Sequence, residues 1–251
     1  MEITLLRSAT LLIRYGGEVF LVDPMLDPAG ARPAINNTPN ERPNPLVELP
    51  EGWHGLIEQA TAVVVTHLHA DHFDATAKEI VPKTLPLYCQ TEDEGTIRDA
   101  GFSNLRPVEG QARCGEITLD RTRGHHGTGE IGKMLAPVSG FVFRAPGEPV
   151  LYLAGDTIWC DHVANAIERF QPDVIVVNGS GARFNVGDPI VMTAEDIART
   201  HEAAPDARIM VDHLEAINHC LETRAYIAER LVYLGARDAV AIPMDGETVR
   251  F

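Results

Sequence analysis

The segment His67-Leu68-His69-Ala70-Asp71-His72 places four side chains able to bind a metal within six residues. Imidazole nitrogen and carboxylate oxygen are good donors for Zn²⁺, Mn²⁺ or Fe. The segment follows Ala62-Val63-Val64-Val65 and Thr66, a short β-branched run that reads as an interior strand. Residues two apart on extended backbone point to the same side, which pairs His67 with His69. Asp71 and His72 come after the chain turns and can face a second point, so one motif can serve two metal ions. Water polarised by two cations yields hydroxide near neutral pH, since a single zinc already lowers its pKa to about 7. That hydroxide attacks a carbonyl carbon or a phosphorus, and Asp71 can orient it and relay a proton to the leaving group. The bland alternative is a polar loop with surface histidines. Three histidines and one aspartate packed this tightly argue against it.

The elements that must position these groups follow from the rest of the chain. Ile3–Leu6, Thr10–Tyr15 and Val19–Val22 read as three short strands, with a tight turn at Gly16-Gly17. Asp23 ends this meander, where it can either orient a metal-bound histidine or cap the turn. From Pro24 to Trp53 seven prolines, Pro24 included, and four asparagines leave no periodic pattern. A loop of that length in a compact chain is functional or disordered, and it is expected to form a flap near the site. Asp74–Ile80 reads as a helix and Leu85–Cys89 as a strand. Thr91-Glu92-Asp93-Glu94 reads as a capping box opening a helix to Ala100. Leu105–Val108 and Ile117–Arg121 are further strands, followed by the glycine-rich turn Gly124-His125-His126-Gly127-Thr128-Gly129. Phe141–Arg144 and Val150–Leu153 read as a hairpin that ends in Gly155-Asp156. Asp161–Phe170 is a helix with Asp161 as its N-cap, and Val174–Val177 is a buried strand. Thr193–His201 is a helix, Arg208–Val211 a strand ending at Asp212-His213, Leu221–Leu234 a long helix, and Val240–Ile242 the last strand. Helices on the outer faces of two sheets predict an α/β class protein, a four-layer αβ/βα sandwich, with residues 1–251 as a single domain.

Bulk properties narrow the function. Of 251 residues, 45% are hydrophobic and 23% charged, as in ordinary soluble proteins. The net charge of −15, from 36 acidic against 21 basic residues, repels phosphate backbones, so a nucleic-acid partner is not expected. A small-molecule substrate is expected instead. The four cysteines, Cys89, Cys114, Cys160 and Cys220, form no CxxC pair. No stretch approaches the roughly 20 apolar residues that span a bilayer. A cytoplasmic protein with no membrane partner is expected; a homo-oligomer is left open.

In order along nearly the whole chain stand His67-x-His69-x-Asp71-His72, a histidine after a glycine turn, Gly155-Asp156 and the strand-terminal His213. This pattern resembles the metallo-β-lactamase superfamily of metal-dependent hydrolases. The resemblance implies two divalent transition-metal ions, zinc first, with Mn or Fe as alternatives. One would sit on His67, His69 and His126, the other on Asp71, His72 and His213, with Asp156 bridging both. His126 is taken over the adjacent His125 because it precedes Gly127-Thr128-Gly129 as in relatives of that superfamily. His213 is taken over His219 because it lies directly off a strand. His219 and Arg183 are candidate substrate-binding residues. Arg183 closes the loop Asn178–Arg183, which can hold an anion or simply be a strand exit.

The branch is read from departures. Asp156 stands where several β-lactamases carry cysteine, which disfavours antibiotic hydrolysis. The motif also resembles the tRNA-processing nucleases, against which the acidic balance counts. Flavodiiron oxygen reductases place a glutamate where this chain has His69. What remains is most similar to the branch that includes the ascorbate-6-phosphate lactonases. The expected activity is therefore hydrolysis of a small ester, lactone or phosphodiester by a metal-bridging hydroxide. A metallonuclease, or a metal-bearing scaffold or sensor with little turnover, is the alternative. Ser180, in Gly179-Ser180-Gly181, lacks the GxSxG flanks of a serine hydrolase.

Overall fold

A computed structural model describes residues 1–251. Each of its two sheets has seven strands. The first is built on the meander β1 (Glu2–Arg7), β2 (Thr10–Tyr15) and β3 (Glu18–Val22), all antiparallel. The β2–β3 turn needs positive φ at both Gly16 (57°) and Gly17 (85°), a conformation that costs glycine nothing. The helix α1 (Trp53–Ile57) and β4 (Ala62–Val65) follow, and the sheet then continues in parallel. It adds β5 (Leu87–Gln90) and β6 (Leu105–Val108), reached through α2 (Ala75–Ile80) and α3 (Glu94–Asp99).

The second sheet repeats the plan. β7 (Gln111–Cys114), β8 (Ile117–Arg123), β9 (Ser139–Arg144) and β10 (Leu151–Leu153) are antiparallel, with α4 (Gly129–Leu135) between β8 and β9. Parallel strands β11 (Val174–Asn178), β12 (Arg208–Asp212) and β13 (Val240–Ala241) complete that sheet, joined by α5 (Asp161–Phe170), α6 (Ala194–Ala203) and α7 (Arg224–Tyr233). The chain then returns to the first sheet, where β14 (Thr248–Arg250) pairs with β1.

Alternation along the strands builds the four layers. Val64 faces a core shared by both sheets, with Leu5, Ile13, Phe20, Phe141, Phe143 and Val176. Val63 and Val65 turn the other way, against Phe73, Ala77 and Ile97 on the helical side. On the far side of the second sheet, Val177, Ile209 and Val211 pack on Val163, Ile197, Ile227 and Leu231 of α5, α6 and α7. The αβ/βα sandwich expected from the sequence is the observed fold. No helix is long and apolar enough to cross a membrane.

Several local expectations are corrected. Edge strands β7 and β14 and helices α1 and α4 are additional; each is short, and the last opens within the glycine-rich turn. The N-cap of α5 is Cys160 rather than Asp161, which is the first helical residue. α7 starts later than Leu221, because Thr223 Oγ1 accepts from the Tyr226 amide and caps it there. Thr91-x-x-Glu94 forms no capping box. A 3₁₀ turn over Thr91–Asp93 precedes α3 and buries Asp93.

One Asp93 carboxylate oxygen has no hydrogen-bond partner, and burial lifts its pKa from the usual 3.8 to about 6. A carboxylate pKa raised on folding leaves stability unaffected below about pH 4. It lowers stability progressively as pH rises toward 6, and fully above that. Asp93→Asn is therefore expected to raise the thermal midpoint at pH 7.5 and to leave it unchanged near pH 4. Equal gains at both pH values would remove the charge as the cause.

Candidate metal centre

The candidate site lies where strands end. β4 delivers Thr66 and His67, and the turn after it carries His69, Asp71 and His72. Asp156 follows β10, His213 follows β12 and His126 follows β8. Open α/β sheets bind ligands beyond the carboxyl ends of their strands for this reason. Gly155 makes the turn into Asp156 feasible. Its φ is 70°, and a Cβ there would lie 2.5 Å from the Ser139 carbonyl oxygen.

The structure brings all seven side chains together in two groups. His67, His69, His126 and Asp156 offer ligand atoms within 4.8 Å of one another, and so do Asp71, His72 and His213. Asp156 stands between the groups. Its Oδ2 lies 3.3 Å from His126 Nε2, 3.2 Å from His72 Nε2 and 3.8 Å from His67 Nε2. Its Oδ1 lies 3.8 Å from His213 Nε2, and that nitrogen is 3.4 Å from Asp71 Oδ2.

A surrounding layer of hydrogen bonds aims these donors. Asp23, open in role from sequence, accepts from the Thr66 amide and hydroxyl at 2.7 Å each and from His72 Nδ1 at 2.8 Å. The Thr66 hydroxyl is thereby committed as donor, so it accepts from His67 Nδ1 at 3.0 Å. His126 Nδ1 donates to the Ile190 carbonyl at 2.8 Å and His213 Nδ1 to Cys220 Sγ at 3.4 Å. Asn178 donates to Asp156 Oδ1 at 2.5 Å. With Nδ1 so engaged, the Nε2 lone pairs point inward, as metal ligation requires. His72 Nε2 and His213 Nε2 are buried with no hydrogen-bond partner. Buried polar atoms without partners are costly, and a Lewis acid satisfies them, so the residues present fit metal ligation.

The charge pattern agrees. Burial, then the neighbouring histidines, hold His67 well below the usual imidazole range, and burial lowers His69. Burial also pulls on His72 and His213, but Asp156 overrides it in both; Asp23 adds to His72 and Cys220 to His213, leaving both well raised. Burial opposes ionisation of Asp71 and Asp156, yet His213 and His72 hold both carboxyls well below their usual range. Two imidazoles that favour their protonated form thus lie beside two ionised carboxylates, and metal binding there is coupled to proton release.

A cavity of about 440 Å³ opens on this cluster, with His69, Asp71, His126 and Asp156 at its base. The long loop forms its mouth: residues 32–36 and Asn44 line it, as the flap expectation requires. The loop is anchored rather than loose. Buried Arg7 donates to the carbonyls of Met25, Asp27 and Val47 at 2.8–2.9 Å. Bonds from a charged donor contribute on the order of 1.5–3 kcal/mol each. Asn218 clamps the other side, accepting from Asn44 Nδ2 at 2.7 Å and donating to Thr38 Oγ1 at 2.6 Å.

His219 lines the cavity, as expected. Arg183 does not. It is half-buried beside its own turn, its Nε 3.3 Å from the Gly181 carbonyl. The one basic residue lining the cavity is Arg32, paired with Asp27 at 3.1 Å, and sequence offered no sign of it because it lies in the aperiodic loop. In the loop Asn178–Arg183 the amides of Gly179, Gly181 and Arg183 donate to the carbonyls of Asp212, Met192 and His219, and Asn178 holds Asp156. His125 is exposed and stacks edge-on with His162, 4.8 Å between centroids.

Comparison with known proteins agrees with this geometry. Residues 19–214 match the family described as beta-lactamase superfamily domain. The UPF0173 protein YddR of Bacillus subtilis is 38% identical over the full length of both chains. A UPF0173 metal-dependent hydrolase of Xanthobacter autotrophicus is 26% identical over 205 residues, 77% of each chain. Among solved structures, an isothiocyanate hydrolase from Delia radicum gut bacteria superposes with a TM-score of 0.95. It is 37% identical and covers 100% of this chain and 99% of that one. None of these three relatives is named as an ascorbate-6-phosphate lactonase. The chain belongs to the beta-lactamase superfamily domain family, as a metal-dependent hydrolase of the metallo-β-lactamase fold.

Proposed function

We propose that this hydrolase works with two divalent transition-metal ions, zinc first, on a small uncharged electrophile whose reacting atom is carbon. His67, His69 and His126 would hold one ion, Asp71, His72 and His213 the other, and Asp156 would touch both. When bound, the ions would supply a polarised, deprotonated water and stabilise developing negative charge. The observation that carries the reading is the cavity itself. Above its four candidate metal ligands the cavity has an apolar wall of Ile35, Leu135, Phe184, Ile190 and Ile217, with Arg32, Asn36, Asn44 and His219 as its other polar lining. A phosphodiester would need cations along its path, and Arg32, already paired with Asp27, is the one available.

Among carbon electrophiles, the likeness to an isothiocyanate hydrolase favours an isothiocyanate over an ester or lactone. Water addition to the N=C=S carbon forms the C–O bond while one π pair moves to nitrogen or sulfur; the C–N bond then breaks, both water protons end on nitrogen, and the products are an amine and carbonyl sulfide. Within the site, Asp71 accepts the proton lost by water, and the apolar wall seats the organic substituent.

Protein purified without chelator is expected to carry two metal equivalents per chain by elemental analysis. It should convert phenethyl isothiocyanate to its amine, a turnover lost after chelation and regained with Zn²⁺, while bis(4-nitrophenyl) phosphate stays intact. Metal near zero after supplementation would sink the dinuclear reading. Turnover of 4-nitrophenyl acetate or a lactone without the isothiocyanate would overturn the substrate class alone.

A further inference from the structure

An eighth titratable side chain borders the centre without joining either group of candidate ligands. His219 is only 5% exposed and lines the cavity beside His69, Asp71 and Asp156. Its ring lies parallel to that of Phe184, also in the cavity wall, with 5° between planes and 6.3 Å between centroids. The backbone on either side is fixed. The His219 carbonyl accepts from the Arg183 amide at 3.2 Å, and the Asn218 amide donates to Asn44 Oδ1 at 2.8 Å. The imidazole thus stacks on Phe184 from a backbone that is hydrogen-bonded at both Asn218 and His219.

Its Nδ1 is buried against protein with no hydrogen-bond partner. A buried N–H without an acceptor is rarer and costlier than an unused lone pair, so the proton belongs on Nε2. With Nδ1 turned into the protein, the Nε2–H edge is the one the cavity sees.

We propose that His219 is a catalytic residue, donating a hydrogen bond from Nε2 to the substrate heteroatom on which negative charge builds during hydrolysis. The role rests on the carbon-electrophile reading above. As the water oxygen bonds to the electrophilic carbon, one π bond from that carbon breaks and its electron pair passes to nitrogen, oxygen or sulfur. The proton lost by water passes to Asp71. His219 keeps its own proton and meets the new charge with a preoriented donor, within an apolar wall where such a bond is strong. Substrate in its ground state carries less charge at that atom, so the contact favours the transition state.

The test uses metal-loaded wild type, His219→Phe and His219→Gln, each assayed on phenethyl isothiocyanate and on 4-nitrophenyl acetate. Phenylalanine keeps the stacking on Phe184 and has no donor; glutamine restores an N–H. Both variants are expected to hold wild-type metal. His219→Phe should lose roughly 10²–10³-fold in kcat with KM little changed, the scale seen when one preoriented donor is removed. His219→Gln should recover part of that loss. Wild-type kcat in His219→Phe, equal losses in both variants, or shed metal would each overturn the role. If His219→Phe does not fold, His219→Ala takes its place in the same comparison. A wild type inert toward both probes fails the carbon-electrophile reading and this role with it; an active wild type with an unaffected variant fails this role alone.

Discussion

Asp71→Asn is expected to lower the hydrolytic rate by roughly 10²–10⁴-fold, the usual scale for loss of general acid–base catalysis. Asp71 is buried, lines the cavity and lies 3.4 Å from His213 Nε2. Its carboxyl is held ionised because His213 and His72 outweigh the burial that opposes it. Asparagine keeps the shape and one oxygen donor but carries no charge and accepts no proton. The loss should therefore appear in kcat under single-turnover conditions, with metal content reduced less than rate. Ser180→Ala serves as the control. Ser180 is fully buried and outside the cavity, so the variant should match wild type. In ¹⁸O-labelled water a single turnover should place label directly in the product. Label found first on a protein side chain would replace the water mechanism with a covalent one.

A larger loss of metal is expected from Asp156→Ala. This carboxylate approaches four of the six other candidate ligands, within 3.2–3.8 Å of His67, His72, His126 and His213. Its removal leaves the Asn178 amide without its acceptor and strips both groups of the charge they share. Elemental analysis should show metal falling from two equivalents toward none, with activity lost in parallel. His125→Ala, one residue from His126 in sequence, should keep both metal and rate, since His125 is exposed and touches His162 instead. Equal metal loss in the two variants would contradict the assignment of Asp156 between two ions.

The architecture was legible because its signals are local. Val63-Val64-Val65 can face two cores only as an interior strand, and Gly16-Gly17 admits the positive φ of a tight turn. Strand, turn and helix signals repeat in an order that two helix-covered sheets satisfy. The ligand types were legible for the same reason, since His67, His69, Asp71 and His72 are grouped by the chain itself. His126, Asp156 and His213, from distant strands, came only through the family resemblance, and the contacts that orient the site were not legible. Asp23 could cap a turn or orient an imidazole, and only the parallel pairing of β3 with β4 sets it against Thr66 and His72. His125 and His126 differ by which way β8 points its end, decided when the Ile190 carbonyl takes up His126 Nδ1. Arg32 replaces Arg183 as the cavity's cation because Arg7 and Asn218 tie an aperiodic loop across the mouth, the second from 174 residues along the chain. Sequence periodicity encodes the direction of a side chain relative to its own strand or helix. Which side chains then meet is set by sheet register and by packing between layers, and these exist only in the folded chain.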